Sequence, residues 1–184
     1  MKYVLASSSP RRKELMKEIS EVFSIDVSNV DETVDESLSP VDAVKTIALR
    51  KGEAVKVRHP NEVVISADTI VVIDNMIIGK PVDEKDAIRI LKLLSGRTHI
   101  VYTAYCIFHK DKFIEEVVES SVTFNKLSDE LIKEYVASKS PLDKAGAYGV
   151  QDNDNFNIIK EIKGSLTNVI GFPVEDIKVS LNSL

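Results

Sequence analysis

The chain has 184 residues, 43% hydrophobic and 29% charged, an ordinary globular balance that excludes wholesale disorder and suggests one domain, or two small lobes around one cleft. With 24 Lys+Arg against 29 Asp+Glu the net charge is −5, which excludes broad coating of DNA or RNA but leaves nucleotides and other small phosphates open, since these need only a local basic pocket. The single cysteine, Cys106, can build neither an internal disulfide nor a thiolate metal cage and suits a cytoplasmic protein; the N-terminal apolar stretch is too short for a signal peptide, and no run approaches the roughly 18 apolar residues of a membrane span.

Elements alternate in type along the chain. Lys2 to Ala6 reads as a short strand, followed by the polar loop Ser7-Ser8-Ser9 and a helix opened by Pro10, whose fixed φ suits a first turn; Leu15, Met16 and Ile19 form its apolar stripe. Phe23 to Val27 reads as a second strand, and the acidic loop Asp31-Glu32-Thr33-Val34-Asp35-Glu36 follows. Ser39-Pro40 starts a longer helix to about Val57, and the nearly all-apolar segment Val63 to Ile73 predicts a strand buried on both faces. Asp83 caps a helix with the stripe Ala87, Ile90, Leu91, Leu94, stopped by Ser95-Gly96. His99 to Phe108 and Phe113 to Phe124 predict two strands joined by a turn. Ser128 starts a helix with Leu131, Ile132, Tyr135 and Val136 inward. Ser140 to Asp154 reads as a loop, Phe156 to Ile162 as a strand, and Pro173 to Leu181 as a last helix. Crossovers plus one hairpin imply an α/β fold with a mixed sheet. The two long loops, near 28–38 and 138–155, are the places to look for function.

Four positions break their local rules, and such breaks tend to mark function. Arg11-Arg12 puts cations in the first turn of a helix, where the dipole disfavours them unless an anion binds; with three preceding serines the segment forms a plausible phosphate cradle, against the plainer possibility of a solvated basic turn. Lys51 falls on the apolar face set by Val44, Ile47, Ala48 and Val55, so it either snorkels outward or sends its ammonium into a cleft beside the core. Asp68 sits inside a buried strand, where a carboxylate is costly unless it is paired, binds a metal or serves as a base. Lys80 is held between Gly79 and Pro81, as a constrained functional lysine or as an ordinary turn. Cations together with Asp68 and Glu32 suit a polyphosphate bound with a divalent metal, and oxygen ligands favour Mg²⁺ or Mn²⁺. His59, His99 and His109 lack metal-ligand spacing, and neither a P-loop nor a G-x-S-x-G elbow is present.

The segments Leu5-Ala6-Ser7-Ser8-Ser9-Pro10-Arg11-Arg12, Ser66-Ala67-Asp68-Thr69, Gly79-Lys80-Pro81, Leu94-Ser95-Gly96, Asp143-Lys144-Ala145-Gly146-Ala147-Tyr148-Gly149-Val150-Gln151 and Asn168-Val169-Ile170-Gly171-Phe172-Pro173 together resemble the Maf family, in order and across nearly the whole chain. The resemblance implies a single Maf-like domain over 1–184. It also implies the fold of the inosine triphosphate pyrophosphatases (Ham1), a twisted mixed sheet with flanking helices and two lobes around a deep cleft. The implied activity is a nucleoside triphosphate pyrophosphatase that needs a divalent metal and cleaves between the α and β phosphates. The family name reflects a link to septum formation. By resemblance, Asp68 matches the proton acceptor, Arg11, Thr69 and Gln151 match positions tied to base preference, and Ser8, Arg12, Glu32, Lys51 and Lys80 match other cleft positions. Gly149-Val150-Gln151 looks like the branch acting on dTTP and UTP, although Asp152 stands where that branch usually has glycine and Phe172 where leucine is usual. The alternatives are 7-methyl-GTP or inosine-type hydrolysis, or a nucleotide-binding cell-division regulator with little turnover. The expected partner is a nucleoside triphosphate, with no nucleic acid and no membrane. A homodimer, the commonest soluble oligomer, is the expected assembly.

Overall fold

Four side chains that the sequence sets before helices cap them: Ser9, Ser39, Asp83 and Ser128 accept from the backbone N–H groups of Arg12, Asp42, Asp86 and Leu131. The computed structural model describes all residues 1–184. In chain order it contains β1 (Tyr3–Leu5), α1 (Pro10–Met16), β2 (Phe23–Ile25), α2 (Pro40–Lys56), β3 (Val63–Ile73), β4 (Met76–Ile78), α3 (Glu84–Leu94), β5 (Thr98–His109) and β6 (Lys112–Phe124). After these come α4 (Asp129–Ala137), three 3-10 turns (Ser140–Asp143, Ala145–Ala147 and Val150–Asp152), α5 (Asn153–Phe156), β7 (Ile159–Lys163), α6 (Leu166–Ile170) and α7 (Val174–Leu181). The strands form one sheet in the order β2-β1-β3-β5-β6-β7, with β4 pairing β3. It is mixed: β1 runs parallel to β2 and β3, whereas β4 is antiparallel to β3 and β7 antiparallel to β6. This is the α/β class expected. The chain divides into two compact units, Met1–Thr69 with Tyr102–Val118 and Leu166–Leu184, and Ile70–Val101 with Glu119–Ser165.

In the first unit, side chains alternate across β3 and the two faces are covered by different helices. Ile65 and Ala67 join Leu15 and Met16 of α1, Phe172, and Val174 and Ile177 of α7 in one buried cluster. On the other face Ser66 donates to the Ala48 carbonyl of α2 at 2.7 Å. Gly52 lets α2 lie this close: a Cβ there would stand 2.3 Å from the Phe108 ring and 2.6 Å from Ser66 Oγ. Gly52→Ala is therefore expected to destabilise the fold by about 1–3 kcal/mol through overpacking, read as a lower urea midpoint; an unchanged midpoint would mean that the helix can shift without cost.

In the second unit α3 and α4 pack together, burying Ala87, Ile90, Leu91 and Leu94 on one helix and Ile132, Tyr135 and Val136 on the other. Leu131, expected inward, is only half-buried. The buried His99 ring meets Phe124 and Tyr148 edge-on and bonds the Tyr148 hydroxyl at 2.7 Å. Burial lowers its pKa to about 4, so it is neutral at pH 7 and packs as a structural group.

Several boundaries differ from expectation. Strand β2 ends at Ile25 rather than Val27. The hairpin strand β4 follows a turn in which both Asp74 and Asn75 have positive φ, a geometry that Asn and Asp tolerate and that twists correctly for a two-residue hairpin. The last strand starts at Ile159 rather than Phe156, because Phe156 closes α5 and Asn157 turns left-handed at φ 48°. The segment read as a loop over 140–154 is built of 3-10 turns, and α6 was not anticipated. No helix is long and apolar enough to cross a membrane.

Candidate functional site

The strand order β2-β1-β3 sets the place. Chain leaving β1 turns to β2, then crosses back over β1 to β3, so the connections diverge at the β1/β3 boundary; ligands of open α/β sheets bind at the carboxyl ends of strands beside such a switch point. Register puts Leu5 opposite Ile65, so the Ser7–Ser9 loop leaves the carboxyl end of β1 beside Asp68, which lies midway along the longer parallel strand β3.

Asp68 and Thr69 are consecutive in an extended strand and so point to opposite faces. Asp68 meets α2, where the Lys51 ammonium lies 2.8 Å from Asp68 Oδ1 and 3.0 Å from Glu32 Oε2. The side chains of Lys51 and Asp68 are each 12% exposed and that of Glu32 is 60% exposed. Lys51 therefore does not snorkel to solvent: its ammonium is trapped between two carboxylates, one deep and one at the surface. Arg50, the preceding residue, donates to the carbonyls of Asp31 and Thr33, so two adjacent α2 residues hold the acidic loop in place.

Thr69 meets α1. The Arg12 guanidinium donates from Nε to the Gly171 carbonyl at 2.8 Å, from Nη1 to Ser7 Oγ at 3.3 Å and from Nη2 to Thr69 Oγ1 at 3.0 Å. Thr103 donates to the Asn168 carbonyl, so the 2.9 Å contact between the two threonine hydroxyls runs from Thr69 to Thr103, a relay that orients Thr69 as the acceptor for Arg12. Burial lowers the Arg12 pKa most and the Asp68 charge partly restores it; the group remains a cation whose three hydrogen-bond partners are all neutral. Such a half-buried cation attracts an anion, and a guanidinium carries five N–H donors, so two remain for one. Gly171 makes the packing possible, with φ at 115° and an added Cβ only 3.2 Å from Thr69 Oγ1.

The other expected residues are placed as follows. Two of the three serine hydroxyls work internally, Ser7 on Arg12 and Ser9 as the helix cap, while Ser8 is exposed. Arg11 is half-buried in the first turn. Lys80 and Gln151 belong to the second unit and are exposed. There the Gly146 N–H donates to the Gly79 carbonyl at 3.1 Å, tying the turn that carries Lys80 to the loop that leads to Gln151. Ser7, Thr103, Asn168 and Gly171 escaped the sequence reading as anchors of Arg12. Thr103 alone carried a signal, a polar residue inside an apolar strand.

Glu32 and Asp68 converge on a single cation, and no third His, Cys, Asp or Glu joins them in a metal-holding group. Two hard oxygen donors suit magnesium or manganese, which are commonly held by one or two carboxylates with water and substrate phosphates completing the shell; they do not suit a closed zinc site. The residues present therefore fit the expected metal.

The chain is similar to several known proteins. A protein named dTTP/UTP pyrophosphatase from Bacillus mycoides is 47% identical over 173 residues, covering 94% of this chain and 90% of its own. Proteins of the same name from Bacillus cereus and Bacillus cytotoxicus are 45% and 43% identical over the same shares. Among solved structures, Ham1 proteins from Coxiella burnetii (TM-score 0.51, 13% identity, all of both chains covered) and Staphylococcus aureus (TM-score 0.50, 13% identity, 100% and 99% covered) share the fold. The Maf family, described as Maf-like protein, matches residues 2–184, and this chain belongs to it.

Proposed function

We propose that this protein is a nucleoside triphosphate pyrophosphatase that hydrolyses dTTP and UTP to the nucleoside monophosphate and pyrophosphate. The observation that carries the proposal is the Asp68 carboxylate, buried at the β1/β3 switch and held by Lys51 within the field of the Arg12 cation. The names of its relatives support the same chemistry.

Arg12, with Arg11 and the exposed Ser8 hydroxyl, would bind phosphate oxygens, and Lys80 would add a further cation. Lys51 donates to Asp68 Oδ1 and fixes the orientation of that side chain. Asp68 takes a proton from water as its oxygen attacks the α-phosphorus; the bond from that phosphorus to the bridging oxygen breaks and pyrophosphate leaves. Glu32 and Asp68 would hold a divalent cation, whose chemistry is to neutralise phosphate charge and the charge gathering on the leaving group. Gln151 carries both an amide donor and an acceptor and would read the base edge.

A panel of triphosphates (dTTP, UTP, dCTP, GTP, ITP and 7-methyl-GTP) with pyrophosphate and orthophosphate measured separately tests this. The expected result is pyrophosphate release, fastest with dTTP and UTP. Orthophosphate release, nucleotide binding without any product, or a preference for GTP derivatives would each overturn the assignment in a different way. Gln151→Ala is expected to change the ranking of bases while inhibition by inorganic tripolyphosphate stays the same; equal losses on every base would remove Gln151 from base recognition.

A further inference from the structure

We infer that Tyr135 and Asp152 are positioning residues that set base discrimination by clamping both ends of the turn that carries Gln151. The inference deepens the proposed function and rests on it for the identity of the substrate. Neither residue touches substrate in this assignment; they act through the backbone on either side of Gln151.

Gly149, Val150, Gln151 and Asp152 form a single tight turn, closed by a hydrogen bond from the Asp152 N–H to the Gly149 carbonyl at 3.1 Å. One phenol grips both ends of it. The Tyr135 hydroxyl accepts from the Gly149 N–H at 3.1 Å and donates to Asp152 Oδ2 at 2.5 Å. Burial first, and the bond to Asp152 second, raise the Tyr135 pKa, so the phenol stays protonated and can donate to the carboxylate. Asp152 Oδ2 also accepts from Ser140 Oγ at 2.8 Å, and that hydroxyl in turn accepts from Lys144 Nζ at 3.0 Å. A hydroxyl has one proton and two lone pairs, so every member of this chain has a consistent role. Bonds of this kind to a carboxylate are roughly twice as strong as neutral ones.

The anchor itself is rigid. Tyr135 is fully buried in α4, with its ring 4.7 Å from that of Phe156. Gly149 leaves room for the Lys144 stem: a Cβ there would stand 2.8 Å from Lys144 Cε and 3.2 Å from Asp152 Oδ2. Immediately upstream, Gly146 and Ala147 are both left-handed, at φ 72° and 57°, and Ala147 is completely buried. A non-glycine residue in that region carries strain that its surroundings must over-determine. The exposed Gln151 therefore rides on a turn whose two ends and approach are all fixed, so little backbone entropy is lost when its amide meets a ligand. A single amide can pair with the imide edge shared by uracil and thymine, one N–H donor flanked by carbonyl acceptors, once its own orientation is fixed.

The test measures kcat and KM for dTTP, UTP, dCTP and GTP in the wild type and in Tyr135→Phe, Asp152→Asn and Asp152→Gly, together with inhibition by inorganic tripolyphosphate. Cutting the clamp is expected to raise KM for the preferred bases about fivefold to tenfold, with kcat within about twofold, so that discrimination against the other bases falls by the same factor. Tripolyphosphate inhibition should not change. Ser140→Ala, which removes one donor to Asp152 without entering the core, should give a smaller loss of discrimination in the same direction and stands in if Tyr135→Phe fails to fold. Unchanged discrimination in the folded variants, or an equal loss on all four triphosphates, overturns the clamp. The wild-type panel judges the dTTP/UTP assignment by itself, and the ratio of variant to wild-type discrimination, for whichever base the wild type prefers, judges the clamp.

Discussion

Asp68→Asn is expected to bind nucleotide normally and to lose at least about two orders of magnitude in kcat, since a positioned base contributes roughly 10²–10⁴-fold. The substitution preserves the shape of the side chain and an oxygen that Lys51 can still bond, so the strand should remain folded. What disappears is the capacity to take a proton. The loss should therefore fall on kcat, with KM for dTTP within a few-fold. Binding measured by calorimetry separates this from a folding defect. Turnover close to wild type would remove Asp68 from the proton-accepting role and leave it as the buried partner of Lys51 alone.

Lys51→Met is the second large effect. The methionine keeps the apolar stem on the buried face of α2 but removes the only cation between Asp68 and Glu32. The two contacts are not equal. The pair with Asp68 is shielded on both sides, and breaking a buried pair by removing one partner costs about 3–5 kcal/mol in dry interiors. The pair with Glu32 is open to solvent on the carboxylate side and contributes little. Stability should fall by less than the fully buried figure, because water can reach Asp68 once the ammonium is gone. Activity should fall further: losing one preorganised charge at a reacting centre typically costs 10²–10³ in kcat. A lowered urea midpoint with turnover retained would make Lys51 a structural counter-ion and no more. The converse, lost turnover at an unchanged midpoint, would place its charge on the reaction rather than on the fold.

The candidate site was partly legible in the chain because burial and polarity conflict visibly in one dimension. Asp68 stood out as a carboxylate in an apolar strand, and Lys51 as a lysine on an apolar helical face. The two misfits turned out to satisfy each other. Arg11-Arg12 marked the other end of the site, although Arg12 turns inward to neutral oxygens rather than lying along the loop. The anchors of Arg12 were not legible, because Gly171 and Asn168 act through backbone carbonyls, which every residue possesses. The role of Asp152 was equally hidden, since its partners lie 17 and 12 positions back and nothing local distinguishes a clamped aspartate from a solvated one.

By itself the sequence determined the alternation of elements, the helix caps, the strand buried on both faces and the chemical types gathered for phosphate binding, since periodicity, capping and the cost of burying charge act over a few residues. Only tertiary structure decided which misfits pair, which hydroxyls are spent on internal bonds and how the register of β1 on β3 brings residues 7–12 beside residue 68. Those outcomes depend on strand order and register, which are set by the packing of segments distant in the chain.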